Sequence, residues 1–145
     1  LIPDQLIDYT HSRESTFFEG GLGPLKHIDF THPYNSELRK KIIRAASRKS
    51  IKVITSGTYG VTQGPRLETA SEIQRLANDG CNIVGMTGMP EAALAKEKDM
   101  PYATISVIVN PAAGLTNEEL VLSDMLSVLS EGGKTCINIL KAIED

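Results

Sequence analysis

The sequence has few cysteines, few aromatic residues and no long apolar run, and each shortage excludes a class of protein. Its two cysteines, Cys81 and Cys136, are far apart and lack the spacing of a metal site. Two distant thiols are typical of a reducing compartment rather than of a disulfide framework. No apolar stretch approaches the length needed to span a bilayer. We therefore expect a cytoplasmic protein with no membrane partner.

The chain also has no excess of positive charge. The formal net charge is −3, whereas a protein that coats a nucleic acid needs a basic face. We therefore expect no nucleic-acid partner. With 41% apolar and 23% charged residues, the 145-residue chain can form one globular domain or part of one. Because Leu1 already lies in a strand-like run, we expect a piece of a longer protein.

Apolar periodicity predicts strands and helices that alternate along the chain, which is the α/β pattern with a largely parallel central sheet flanked by helices. The predicted strands are Leu1–Tyr9, one or two within Ile51–Val61, Asn82–Met86 and a central Tyr102–Val109. The predicted helices are Glu37–Arg48 with Ser36 as its cap, Thr69–Asn78, Pro90–Lys98 and a last one capped by Thr116 with a kink or break at Gly132-Gly133.

Three polar side chains, Glu68, Thr87 and Asn110, lie where strand-like runs meet helices or loops. Ligands collect at such strand ends in open α/β sheets. Each residue also has an ordinary structural interpretation. Glu68 can stabilise a helix amino terminus, Thr87 can be a turn hydroxyl, and Asn110 can form an Asx-type turn. Spacing alone leaves both interpretations open.

Other catalytic motifs lack support. Gly132-Gly133-Lys134-Thr135 ends like a phosphate-binding loop, but Val128 occupies the position that needs glycine, and the preceding segment is helical. No serine, histidine and aspartate are suggestively spaced, and no histidine and carboxylate cluster predicts a metal.

Several segments together resemble the purine nucleoside phosphorylase and methylthioadenosine phosphorylase family. They are Gln63–Glu72, Val84–Ala95, Val107–Gly114, Gln5–Thr10, Phe17–Gly20 and His27–Tyr34. The resemblance covers essentially the whole chain. It implies a cytoplasmic homotrimer that cleaves a purine nucleoside with inorganic phosphate in purine salvage, without a metal or an organic cofactor. It also implies that residues 1–145 are the C-terminal portion of a single nucleoside phosphorylase domain.

The resemblance implies roles for the base-binding residues. Asn110 matches the catalytic residue that hydrogen-bonds the purine at N7 and O6. Glu68 matches the acceptor of N1–H in a 6-oxopurine. Family members that cleave 6-aminopurines have aspartate at the positions of Asn110 and Ala112, and serine at that of Glu68. The sequence therefore favours a 6-oxopurine.

For the sugar and phosphate, the resemblance matches Leu67 and Met86 to the ribose wall and Thr87 to a phosphate ligand. His27 matches a residue that reaches a neighbouring subunit's 5′ pocket. The family places its 5′-group selector near Leu122, where the apolar sequence favours a methylthio group. We therefore expect S-methyl-5′-thioinosine as the substrate. Inosine or guanosine, methylthioadenosine, or a non-catalytic purine-binding fragment are the alternatives.

The family's other phosphate loops match no segment of this sequence. One threonine alone is a poor clamp for a phosphate dianion. We therefore expect the isolated chain to show little or no phosphorolysis.

Overall fold

The computed structural model describes residues 1–18, 26–117 and 122–143, and within these ranges it contains three strands and four helices. The strands are β1 (Gln5–Asp8), β2 (Thr58–Val61) and β3 (Ile83–Gly85). The helices are α1 (Ser36–Arg48), α2 (Ala70–Asn78), α3 (Glu91–Glu97) and α4 (Leu122–Lys141).

The three strands form one parallel sheet in the order β1-β2-β3. Leu6 pairs with Tyr59, and Gly60 pairs with Val84. The predicted α/β class is confirmed. Because all three strands run in the same direction, the segments that follow them emerge at the same edge of the sheet.

The helix caps agree with the sequence in one case and differ in the other. At α2, Thr69 and Glu72 form the predicted capping box, each side chain accepting a hydrogen bond from the other residue's backbone. At α1 the prediction was wrong by one residue, because Asn35 rather than Ser36 is the cap. Asn35 has extended backbone dihedrals, and its Oδ1 accepts from the Leu38 N–H at 2.8 Å, so Ser36 already belongs to the helix.

The predicted central strand Tyr102–Val109 was wrong. In the described part of the chain this segment joins no ladder. Leu1 and Ser106 exchange two backbone hydrogen bonds of 2.8 Å, and the Asn35 N–H donates to the Tyr102 carbonyl at 2.7 Å. Ile108 is 50% exposed. Apolar, β-branched composition favours extended backbone, but a strand also needs a neighbouring strand that continues the pairing.

Of the predicted kink or break at Gly132-Gly133, the break was wrong, since α4 continues through both glycines. Gly132 packs so closely on Val107 that a methyl group at this position would overlap the valine side chain. At Gly133, no atom of the described residues lies within 4 Å of such a methyl group. The first glycine therefore lets α4 approach the extended segment. The helix start predicted at Thr116 falls partly outside the described residues.

Among the described residues, two apolar clusters form the core. The first joins α1 to α4 and contains Ile2, Ile42, Ala45, Ala46, Ile139 and Ala142. The second packs α3 on β2 and contains Tyr59, Val61, Met89 and Ala92. The second cluster supports the strand ends at which the site lies. None of the helices in the described ranges is both long and apolar enough to cross a membrane.

Candidate functional site

A cavity of about 450 Å³ opens where the segments after β1 and β2 face helix α2. Parallel strand ends and a helix start surround it, as expected of a ligand site in an α/β sheet. Its lining residues are Tyr9, His11, Thr62, Gln63, Gly64, Arg66, Glu68, Glu72, Arg75 and Leu76.

Glu68 is half-buried in the lining and is held by the residue that directly follows β2. The Thr62 hydroxyl donates to Glu68 Oε1 at 2.6 Å and lies 3.3 Å from the Gly85 carbonyl oxygen. No hydrogen-bond donor in the described ranges contacts the other carboxylate oxygen, Oε2. A carboxylate accepts hydrogen bonds and cannot donate them, so Glu68 offers the cavity a free acceptor.

Glu72 also lines the cavity, but both of its carboxylate oxygens already accept hydrogen bonds from other residues of the protein. Arg66 donates to both of its oxygens, at 2.7 and 2.8 Å, and the Thr69 N–H donates at 2.7 Å. The hydrogen bond from Arg66, followed by that from Thr69, lowers the pKa of Glu72 to about 2. Glu72 is therefore a capping and ion-pairing residue at the cavity, while Glu68 keeps its acceptor capacity.

Tyr9 and Arg75 form another wall. The Tyr9 hydroxyl donates to Asp79 Oδ2 at 2.7 Å, and the Arg75 guanidinium carbon lies 5.7 Å from the centre of the Tyr9 ring. Burial, followed by the hydrogen bond to Asp79, raises the pKa of Tyr9. The phenol therefore stays protonated at neutral pH and is held in place from two sides.

Met86 and Thr87 follow β3 and contact the β2 side of the site. The Thr87 N–H donates to the Tyr59 hydroxyl at 3.3 Å, and the two hydroxyl oxygens lie 3.4 Å apart. Met86 packs directly on Gly64, whose φ of +63° and missing side chain permit this approach. The loops after β2 and β3 are therefore in contact, although neither Met86 nor Thr87 lines the cavity.

Asn110 and Ala112 lie outside the cavity lining. Asn110 Nδ2 donates to the neighbouring Pro111 carbonyl at 2.7 Å, so its amide is turned onto its own loop. This loop nevertheless meets α2, since an added Cβ at Gly114 would lie 2.6 Å from the Cβ of Ala70. The structure thus brings the Asn110 loop against the start of α2 without placing the Asn110 side chain beside that of Glu68.

The predicted ribose and 5′-group residues Leu67, Met86 and His27 are not among the lining residues of the cavity. Leu67 is 48% exposed, and His27 is exposed. Leu122 is the first residue of α4, and its side chain lies outside the described residues. Their assignments stay predictions.

The sequence interpretation overlooked Thr62 and Tyr59, which hold Glu68 and Thr87. Thr62 directly follows a strand, so the strand-end rule that singled out the other residues could have found it. Tyr59 lies within β2 and carried no such signal. Among the described residues, no group of three or more His, Cys, Asp or Glu side chains could hold a metal ion. The expected independence from metals and cofactors stays a prediction.

Sequence comparison defines the class of protein. The sequence model of the Phosphorylase superfamily matches residues 1–143. The chain therefore belongs to the phosphorylase superfamily, as the resemblance in its motifs predicted.

Two curated relatives carry names more specific than that of the superfamily. The chain is 51% identical to a probable S-methyl-5′-thioinosine phosphorylase of Xanthomonas campestris, over 86% of this chain and 50% of the relative. It is 40% identical to a 6-oxopurine nucleoside phosphorylase of Pyrococcus furiosus, over 98% of this chain and 56% of the relative. The chain spans about half the length of the curated relatives that it matches.

A solved structure agrees with these relatives. A methylthioadenosine phosphorylase from Schistosoma mansoni, in complex with adenine, superposes with a TM-score of 0.90 at 26% identity. The match covers 99% of this chain and 57% of the other. The nucleoside phosphorylase fold predicted from the motifs is confirmed.

Proposed function

We propose that the protein catalyses phosphorolysis of a 6-oxopurine nucleoside, with S-methyl-5′-thioinosine as the favoured substrate. The products would be hypoxanthine and 5-methylthioribose 1-phosphate. Inorganic phosphate is the co-substrate, and no metal or organic cofactor takes part. The names of the Xanthomonas and Pyrococcus relatives support this reaction class.

The observation that carries the choice of base is the geometry of Glu68. Thr62 donates to one carboxylate oxygen, and because no donor among the described residues contacts the other, that oxygen can accept a hydrogen bond within the cavity. A 6-oxopurine presents a donor at N1, whereas adenine presents a lone pair there. Glu68 therefore attracts hypoxanthine and repels adenine.

The chemistry requires a stabilised leaving group and a positioned phosphate. In the reaction, a phosphate oxygen bonds to C1′, the C1′–N9 bond breaks, and the phosphate proton ends on the purine. We assign Asn110 to the N7 and O6 side, where its amide can stabilise the departing base. Its side chain must first release the Pro111 carbonyl. We assign Thr87 to the phosphate and Met86 to the ribose.

Product analysis tests the proposal. The chain and its full-length relatives are incubated with phosphate and S-methyl-5′-thioinosine, methylthioadenosine or inosine, and the bases are separated by chromatography. We expect relatives with the matching residues to release hypoxanthine fastest from S-methyl-5′-thioinosine. We expect little turnover by the isolated chain. Faster release of adenine from methylthioadenosine would contradict the 6-oxopurine assignment, and full turnover by the chain alone would contradict the expected need for further phosphate ligands.

A methylthioadenosine phosphorylase is the second candidate. The fold similarity to the Schistosoma mansoni methylthioadenosine phosphorylase supports it, and Glu68 argues against it. The same assay separates the two candidates.

A non-catalytic purine-binding role predicts a different ligand response. Calorimetric titration of the chain with hypoxanthine, with and without phosphate, distinguishes the two roles. A phosphorylase site should show coupling between the ligands, because both occupy the same reaction centre. Equal hypoxanthine affinity in both titrations would favour the binding module.

We also propose a cytoplasmic homotrimer, for which the resemblance in the motifs is the support. The exposure of His27 is compatible with its predicted reach into a neighbouring subunit. Light scattering on the purified protein should give the mass of three chains, and a monomer mass at micromolar concentration would contradict this assembly.

A further inference from the structure

Arg13 links the loops that follow two strands. Its Nη2 lies 3.3, 3.1 and 3.0 Å from the carbonyl oxygens of Thr62, Gln63 and Met86. Its Nη1 donates to the Met89 carbonyl, and its Nε donates to Gln63 Oε1 at 3.1 Å. One guanidinium thus joins the segment after β2 to the segment after β3.

These contacts occupy all three guanidinium nitrogens. Arginine has five N–H donors in a fixed plane, and here they point at backbone and amide oxygens rather than at a carboxylate. Within the described ranges Arg13 forms no ion pair. The side chain is half-buried between the loops that carry Gln63 and Met86. A group used in this way holds backbone in position and has little capacity left to bind a ligand directly.

We propose that Arg13 is a positioning residue that fixes the loops after β2 and β3 for purine nucleoside binding. The loop after β2 carries Glu68, and the loop after β3 carries Met86 and Thr87. The role in binding rests on the proposed function. Lysine cannot replace the planar set of donors, because its ammonium is a single point of charge. Small displacements of such loops cost much of a site's efficiency.

Arg39 supplies a matched control at the opposite end of the sheet. Like Arg13 it is half-buried and donates to several backbone carbonyls. Its Nε donates to the Pro3 carbonyl at 2.7 Å, and its Nη2 contacts those of Thr55 at 2.6 Å and Ile2 at 3.4 Å. These residues precede β1 and β2. Removing Arg39 therefore removes comparable hydrogen bonds without touching the candidate site.

The first measurement is hydrogen exchange without ligand on Arg13→Ala, Arg13→Lys and Arg39→Ala. The reporters near Arg13 are the amides of Thr62 and Thr87, which donate to the Gly85 carbonyl and the Tyr59 hydroxyl. We expect Arg13→Ala to accelerate their exchange by about tenfold or more, Arg13→Lys to accelerate it less, and Arg39→Ala to leave it near wild type.

The reporters near Arg39 are the amides of Ile2 and Asp4, which donate to the Ile54 and Gly57 carbonyls. We expect the reverse pattern for them. Equal acceleration of both sets of amides by Arg13→Ala would show a general loss of stability and would overturn the proposal. If Arg13→Ala does not fold, the same comparison is made with Arg13→Lys.

The second measurement is hypoxanthine affinity by calorimetry. Urea is added to the more stable proteins until all variants have the same unfolding free energy, so that differences in affinity do not reflect differences in global stability. We expect Arg13→Ala to weaken binding by about tenfold or more, Arg39→Ala to change it little, and Arg13→Lys to fall between them. Faster amide exchange in Arg13→Ala together with an unchanged hypoxanthine affinity would overturn the role of Arg13 in binding. If wild type does not bind hypoxanthine, the proposed function fails in this chain, and hydrogen exchange alone decides whether Arg13 positions the loops.

Discussion

Replacing Glu68 by glutamine tests the assignment of the purine edge with almost no change of shape. Glutamine keeps an oxygen that can accept from Thr62, so the 2.6 Å hydrogen bond survives in neutral form. If Oε1 keeps the hydrogen bond from Thr62, the atom facing the cavity changes from a carboxylate oxygen, which accepts, to the amide nitrogen, which donates. The variant should therefore fold normally and favour a base whose N1 accepts a hydrogen bond over one whose N1 donates.

The magnitude follows from the bond that is lost. A hydrogen bond to a charged group contributes about 1.5–3 kcal/mol, and Glu68 is only half-buried, so we expect a loss of about 1–2 kcal/mol for hypoxanthine. That corresponds to roughly 5- to 30-fold weaker binding. Adenine, whose N1 accepts, should bind as well as before or better. The ratio of hypoxanthine to adenine affinity is therefore the sharper quantity.

Calorimetry with each base on wild type and Glu68→Gln measures this ratio, and Glu72→Gln is the control. Glu72 lines the same cavity, but Arg66 and the Thr69 N–H already engage its oxygens. The control should lose stability in urea and keep the ratio of the two affinities. An unchanged ratio in Glu68→Gln, or equal losses for both bases, would refute the proposed recognition of N1–H.

The remaining predictions concern specificity and stability. Combining Asn110→Asp with Glu68→Ser should shift preference from hypoxanthine toward adenine, measured by competition between the bases, and an unshifted preference would count against both assignments. Gly132→Ala should lower the unfolding free energy by about 1–3 kcal/mol, because the added methyl group overpacks against Val107. Gly133→Ala, where the described residues leave open space, should raise it by about 0.5–1 kcal/mol. Equal effects of the two substitutions in urea unfolding would contradict the close contact of Gly132 with Val107. The pKa of Glu72 is lowered from 4.5 to about 2 on folding, so its stabilisation should be complete above pH 4.5 and lost as the pH falls toward 2. The difference in urea stability between wild type and Glu72→Gln should shrink over that range, and a constant difference would show that the carboxylate does not stabilise the fold.

Much of the local structure was predictable because its causes lie close together in the sequence. The capping box of Thr69 and Glu72 is one such case. Helix α3 is another, although Pro90 is its N-cap rather than the predicted first helical residue. Each depends on a few neighbouring side chains and their own backbone. The order of strands and helices from β1 to α3 followed from apolar periodicity for the same reason.

The errors occurred where a distant part of the chain decides the outcome. Tyr102–Val109 has the composition of a buried strand, but its pairing in the described chain is limited to Leu1 and Asn35. Glycine is a residue type that often ends a helix, but Gly132 lies within α4, where it packs closely on Val107. In both cases the tertiary contacts, and not the local conformational preference of the residues, decide which secondary structure forms.

The sequence by itself determined the alternation of strands and helices from β1 to α3 and the chemical groups available at the strand ends, including the carboxylate of Glu68. Only the tertiary structure decided which of those groups meet. It joined Thr62 to Glu68, turned the Asn110 amide onto Pro111 and placed one guanidinium between two loops. The physical reason is that hydrogen bonds between residues far apart in the chain exist only once the sheet has aligned its strand ends.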